Sequence, residues 1–103
     1  MSENTEPTTR RDVLQWCVDE WGEETQIDMA IEELAETIRA LARIQNGRGD
    51  KTDVREELAD AEIMLEQMRY VFDSGEITNI KAEKMYRLEQ RMRTGEWPEE
   101  RHG

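Results

Sequence analysis

The chain has little of several things that usually anchor a small protein or its site. It has one cysteine, Cys17, one histidine, His102, and two prolines, Pro7 and Pro98, in 103 residues. A single thiol excludes an internal disulfide framework. A lone histidine near the C-terminus excludes a site built on several imidazoles. The two prolines leave everything between them free of the strongest helix breaker. Only 3 lysines accompany 11 arginines. No apolar run approaches the roughly 20 residues needed to cross a bilayer. The stretch from Met1 to Arg11 is polar and lacks the apolar centre of a signal peptide. No membrane association is expected, and a cytoplasmic protein is.

What the chain does have is acid. There are 25 Asp and Glu against 14 Lys and Arg, for a formal charge of −11. That balance argues against a nucleic-acid partner, whose phosphates require Lys and Arg to displace counterions. It does not exclude a small anionic substrate met by a metal ion or a local basic cluster. Acid-rich, lysine-poor surfaces are also common where salt is high. The length suits one domain, and a domain this small buries a modest fraction of its surface, so partner subunits are expected to supply further stability.

The pattern predicts four helices. Residues 1–8 read as a disordered tail, 9–95 as a helical domain and 96–103 as a second tail. The first helix is expected over Thr9–Trp21, with Thr9 and Asp12 resembling a capping box and Gly22 ending it. Its apolar face is Leu14, Cys17, Val18 and Trp21. The second is expected over Gln26–Gln45, capped by Thr25, with the stripe Ile27, Ile31, Leu34, Ile38, Leu41. The third is expected over Asp53–Phe72, capped by Thr52, with the stripe Val54, Leu58, Ala61, Leu65, Met68, Phe72. The fourth is expected over Ile77–Arg93, with Met85, Leu88 and Met92 inward, ending at Thr94-Gly95. Heptad-like stripes joined by short turns predict an all-α, antiparallel four-helix bundle. Met29, Ile44, Ile63, Met64 and Val71 lie off those stripes and imply a second buried face, hence a homodimer or homotetramer.

The acids are unevenly placed. At about 100° per residue, Glu33 and Glu36 fall on a strip reading Met29, Glu33, Glu36, Ala40, Ile44. Glu57 and Asp60 continue a strip with Met64 and Val71. A solvated run normally carries cations at i+3 or i+4. Glu36 has Arg39, but Glu33, Glu57 and Asp60 are followed by acids or apolar residues. Stacked carboxylates repel unless a cation lies between them, and spacing i, i+3 presents both members of a pair on one side of a helix. Two such pairs on neighbouring helices would make an all-oxygen site, which suits Mg²⁺, or Mn²⁺, rather than iron. In a chain this acidic the spacing also recurs by chance, as at Glu20 and Glu23, so a structural role for the acids is the alternative.

The order of the motif adds to this. Glu32-Glu33-Leu34-Ala35-Glu36, then 20 residues, then Glu57-Leu58-Ala59-Asp60 resembles the MazG-like, all-α nucleoside triphosphate pyrophosphohydrolases. Gln26 ahead of Met29-Ala30-Ile31, the Gly47-Arg48-Gly49 turn, and Lys84-Met85-Tyr86-Arg87-Leu88 with Arg91 extend the likeness over roughly residues 10–95. The resemblance implies a Mg²⁺-dependent, oligomeric enzyme that splits an NTP or dNTP between its α- and β-phosphates. It implies Glu33, Glu36, Glu57 and Asp60 as metal ligands and Glu32 or Glu36 as the group that takes a proton from water.

Lys84, Arg87 and Arg91, with Lys81 nearby, cluster on one side of the fourth helix and are candidates for binding phosphates, as is Lys51 more weakly. Glu83 and Arg87 could instead pair on a solvated face. Trp16 and Trp21 are candidates for stacking on a base, or else belong to a core or subunit interface. A contrasting expectation is a non-enzymatic helical oligomer, an adaptor or regulator, whose acids meet Arg39, Arg55 or Arg69 across subunits.

Overall fold

A computed structural model describes residues 9–96. The expected N-terminal tail and residues 97–103 of the expected C-terminal tail, His102 among them, lie outside the described residues. The described chain is all-α, as the sequence predicts: α1 is Arg10–Trp21, α2 is Glu23–Gln45, α3 is Lys51–Met68 and α4 is Ser74–Thr94. The chain divides into two compact units, one reaching to Phe72 and the other starting at Asp73.

Local chemistry sets the helix ends. The Asp12 amide donates to Thr9 Oγ1 at 3.0 Å and the Thr9 amide to Asp12 Oδ2 at 3.5 Å, so the expected capping box forms. Gly22, at φ 91°, is the single residue between α1 and α2. It closes one helix and opens the next, so α2 starts at Glu23 and Thr25 lies inside it instead of capping it. Helix α3 is capped by Asp50, whose Oδ1 accepts from the Thr52 amide at 2.8 Å, so Thr52 is helical rather than the cap. The expected third helix ended at Phe72; α3 ends at Met68 and residues 69–73 form turns. Asp73 takes a left-handed conformation (φ 72°) and accepts from the Glu76 amide at 3.1 Å. Aspartate tolerates that region because its short side chain bonds locally, and the cap moves the start of α4 from Ile77 to Ser74. Gly95 ends α4 as expected, at φ 76°.

In the first unit α2 and α3 are antiparallel partners and α1 packs on both. From α1, Leu14 and Val18 are buried, while Trp21, expected inward, is half exposed and meets Trp16 edge to face at 5.3 Å between ring centroids. Arg10 of α1 reaches Glu66 of α3 at 3.2 Å.

The seam between α2 and α3 differs from the expected stripes. Ala30, Thr37, Ala61, Met64, Gln26 and Gln67 are the buried residues of these helices. Ile31 and Ile38 are 61% and 67% exposed, and Leu41, Leu58, Leu65 and Phe72 are also exposed. The inward strip of α2 runs Gln26, Ala30, Glu33, Thr37 in steps of four, three and four, and its small side chains suit close approach of two helices. Of the expected stripes, Ala61 is buried and Ile27, Leu34, Val54 and Met68 are half-buried, so only part of each stripe is turned to the outside of the pair. Of the off-stripe residues, Met64 is buried and Ile44 and Val71 are half-buried, whereas Met29 and Ile63 are exposed.

Helix α4 carries an exposed apolar line, with Met85, Leu88 and Met92 among its members, and an Arg93–Glu89 ion pair at 2.6 Å. No helix among the described residues is long and apolar enough to cross a membrane.

Candidate metal centre

The seam carries its acids at the level where α2 and α3 are tied by one hydroxyl. Thr37 Oγ1 lies 2.9 Å from the Glu33 carbonyl and 3.2 Å from the Glu57 carbonyl and donates toward both. This brings the backbone beneath Glu33 to the backbone beneath Glu57. Thr37 was not a sequence candidate. The available signal was its position, one turn beyond Glu33 on a strip of small residues.

Above that tie, Glu33, Glu36 and Glu57 each present a carboxylate oxygen within 4.8 Å of the other two. Glu33 and Glu57 are half-buried and Glu36 is exposed. Glu33 Oε2 and Glu57 Oε1 are shielded from solvent and have no hydrogen-bond partner among the described residues. A shielded carboxylate oxygen without a donor is costly, and here two of them come from facing helices. The consequence appears in Glu33, whose pKa rises from 4.5 to about 7. The largest cause is the hydrogen bond it makes to Glu57 once protonated. Burial adds to it, and so does repulsion from Asp60, Glu36 and Glu57. Thus the cluster takes up a positive charge readily.

Asp60 is exposed and near enough for its charge to act on Glu33, but it is not one of the three clustered carboxylates. Glu32 is exposed one position before Glu33, about 100° around the helix, and is outside the cluster. Trp16, on α1, is half exposed and engaged with Trp21. Lys84 and Arg87 are exposed and Arg91 is half-buried, all three on one side of α4 in the second unit. The expected pairs Glu36–Arg39 and Glu83–Arg87 do not form among the described residues.

The donor set fits a hard divalent cation. It is all carboxylate, it converges from two helices, and two of its oxygens lack a donor among the described residues. Comparison with protein-family models, curated proteins and solved structures finds no match.

Proposed function

We propose that the chain is a nucleoside triphosphate pyrophosphohydrolase that uses Mg²⁺, or Mn²⁺, to split an NTP or dNTP into the monophosphate and pyrophosphate. The observation that carries this reading is the convergence of Glu33, Glu36 and Glu57 within 4.8 Å, with two shielded oxygens lacking donors among the described residues. The ordered motif that contains these residues and Asp60 supports the substrate class.

Glu33, Glu57 and Glu36, with Asp60 alongside, would hold the ion. A divalent ion there would polarise phosphoryl oxygens and make a coordinated water more acidic. In the hydrolysis the water oxygen bonds to phosphorus, the bridging P–O bond between the α- and β-phosphates breaks, and its electron pair leaves with the departing phosphate. The proton lost by water goes to a carboxylate that is free to accept it, Glu36 or Glu32. Lys84, Arg87 and Arg91 are the proposed phosphate contacts from α4, and Trp16 the proposed base contact. The exposed stripe of Ile31, Ile38, Leu41, Leu58, Leu65 and Phe72 supports a homodimer or homotetramer. An enzyme of this kind belongs in the cytoplasm, where nucleotides and Mg²⁺ are abundant.

The test is incubation with each NTP and dNTP plus Mg²⁺. Pyrophosphate is the expected product; orthophosphate, or no turnover of any nucleotide, overturns the reading. The same exposed stripe also favours a non-enzymatic oligomer acting as adaptor or regulator. There the acids would be structural, and millimolar Mg²⁺ would leave the melting temperature unchanged instead of raising it by mass action.

A further inference from the structure

Beside the carboxylate cluster lies an open pocket of about 290 Å³, lined by Arg39, Ala40, Arg43, Gly49, Asp50, Asp53 and Glu57. Glu57 belongs to both, so the pocket is continuous with the cluster. Its two walls follow from helix geometry. On α2, Glu36, Arg39 and Arg43 succeed one another by three and four residues. On antiparallel α3 and its cap, Glu57, Asp53 and Asp50 succeed one another by four and three in the opposite sense. Glu36 therefore starts a line of cations running away from the cluster, with Arg39 about 4–5 Å and Arg43 about 10 Å along the axis.

Neither arginine has an ion pair among the described residues, although Asp50, Asp53 and Glu57 line the same pocket. Arg39 does not fold back on Glu36 as local spacing invites. The floor is held close: a Cβ at Gly49 would lie 2.8 Å from the Ile44 amide nitrogen and 3.1 Å from the Arg43 carbonyl carbon. The turn thus rests on the helix backbone beneath the arginines, and a side chain there would push it away.

Two guanidinium groups without an ion pair among the described residues, leading off a carboxylate cluster, describe a receptor for an anion that arrives with a cation. We propose that this pocket takes the β- and γ-phosphates of the nucleotide, the part that leaves as pyrophosphate, with Arg39 and Arg43 as their contacts. The proposal rests on the pyrophosphohydrolase reading and deepens it. Guanidinium groups match phosphate oxygens in fork geometry. The acidic wall sets a condition: Asp50, Asp53 and Glu57 repel a bare polyphosphate, so the anion binds only together with a divalent ion on the cluster.

The experiment is thermal melting with inorganic pyrophosphate as the probe, with and without MgCl₂, on the wild type, R39A, R43A and the double variant R39A/R43A. In the wild type, pyrophosphate without Mg²⁺ should leave the melting temperature unchanged. With Mg²⁺ it should add about 5 °C beyond Mg²⁺ alone. The double variant should keep the increment from Mg²⁺ and lose the increment from pyrophosphate, and R39K/R43K should recover part of it. Its KM for a hydrolysed NTP should rise about tenfold or more. An undiminished pyrophosphate increment in R39A/R43A, or stabilisation by pyrophosphate without Mg²⁺, overturns the proposal. Turnover of NTPs with unchanged KM in the double variant removes the pocket and leaves the enzyme reading standing. Arginine-dependent binding of Mg²⁺ and pyrophosphate without turnover of any NTP does the reverse.

Discussion

Helices α2 and α3 have two faces, and the usual distribution of side chains is inverted between them. The face each turns to the other carries Gln26, Ala30, Glu33, Thr37, Glu57, Ala61 and Met64. The face turned outward carries Ile31, Ile38, Leu41, Leu58 and Leu65. Burying the outward set is worth roughly 1.5–3 kcal/mol per side chain, so packing strength alone would place it between the helices. Small residues take that place instead and let the backbones close on one another. The difference teaches that the inner face is arranged around the carboxylates, while the outer face leaves large apolar side chains exposed.

The comparison breaks most sharply at the acids. Glu57→Gln should lower kcat/KM for the hydrolysed nucleotide by at least about 100-fold, since it removes a proposed ligand outright. It should also abolish the rise in melting temperature with Mg²⁺ while the helical circular dichroism persists. If the variant unfolds, the acid is structural.

The outer face answers to a different measurement. Leu65→Glu and Ile38→Glu place a charge on the exposed stripe, where a monomer tolerates it. In light scattering they should reduce the particle mass to that of one chain, with the metal response kept. An unchanged mass would show that the stripe is not a subunit interface.

Titration separates the faces again. Glu33 holds its proton more tightly in the folded state, with a pKa of about 7 against 4.5, so protonation favours folding. That contribution is complete below about pH 4.5 and is lost as pH rises through about 7. A cation competes for the same oxygens, so the increment in melting temperature from Mg²⁺ should be small at pH 5.5 and full at pH 8. Glu33→Gln should make the metal-free protein more stable at pH 8 and remove this pH dependence.

The smaller effects concern packing. Ala61→Leu should destabilise by about 1–3 kcal/mol through overpacking. Thr37→Val should cost about 1 kcal/mol, the worth of its hydrogen bonds to two carbonyls, and should weaken Mg²⁺ binding measurably.

The all-α class and the number of helices were legible because apolar residues recur at helical spacing and turn residues interrupt them. Thr9, Gly22 and Gly95 marked helix ends correctly because their roles depend on a few neighbouring residues. Asp50 displaced the expected start of α3 because an aspartate cap competes equally well with the nearby Thr52, and Asp73 moved the start of α4 because its side chain caps the Glu76 amide. The choice of inner face was not legible from hydrophobicity. Ile31 and Leu65 look like core, and only the small residues Ala30 and Thr37 hint that the helices meet elsewhere; Ala61 is the one residue of the α2 and α3 stripes that is buried. Of the candidate site, the strip position of Glu33, Glu36 and Glu57 could be read from spacing. The tie through Thr37 and the freedom of Arg39 could not, since both depend on how two helices distant in sequence are set against each other.

The turn between those helices acts as a ruler. Gly49 lies against the backbone of Arg43 and Ile44, so the number of residues from Asn46 to Asp50 fixes which residue of α3 stands opposite Thr37. One residue more, if taken up in α3, would rotate that helix by about 100° and carry Glu57 out of register with Glu33. The distance in sequence between the two acid pairs is therefore a dimension of the site itself, as much a part of it as the carboxylates.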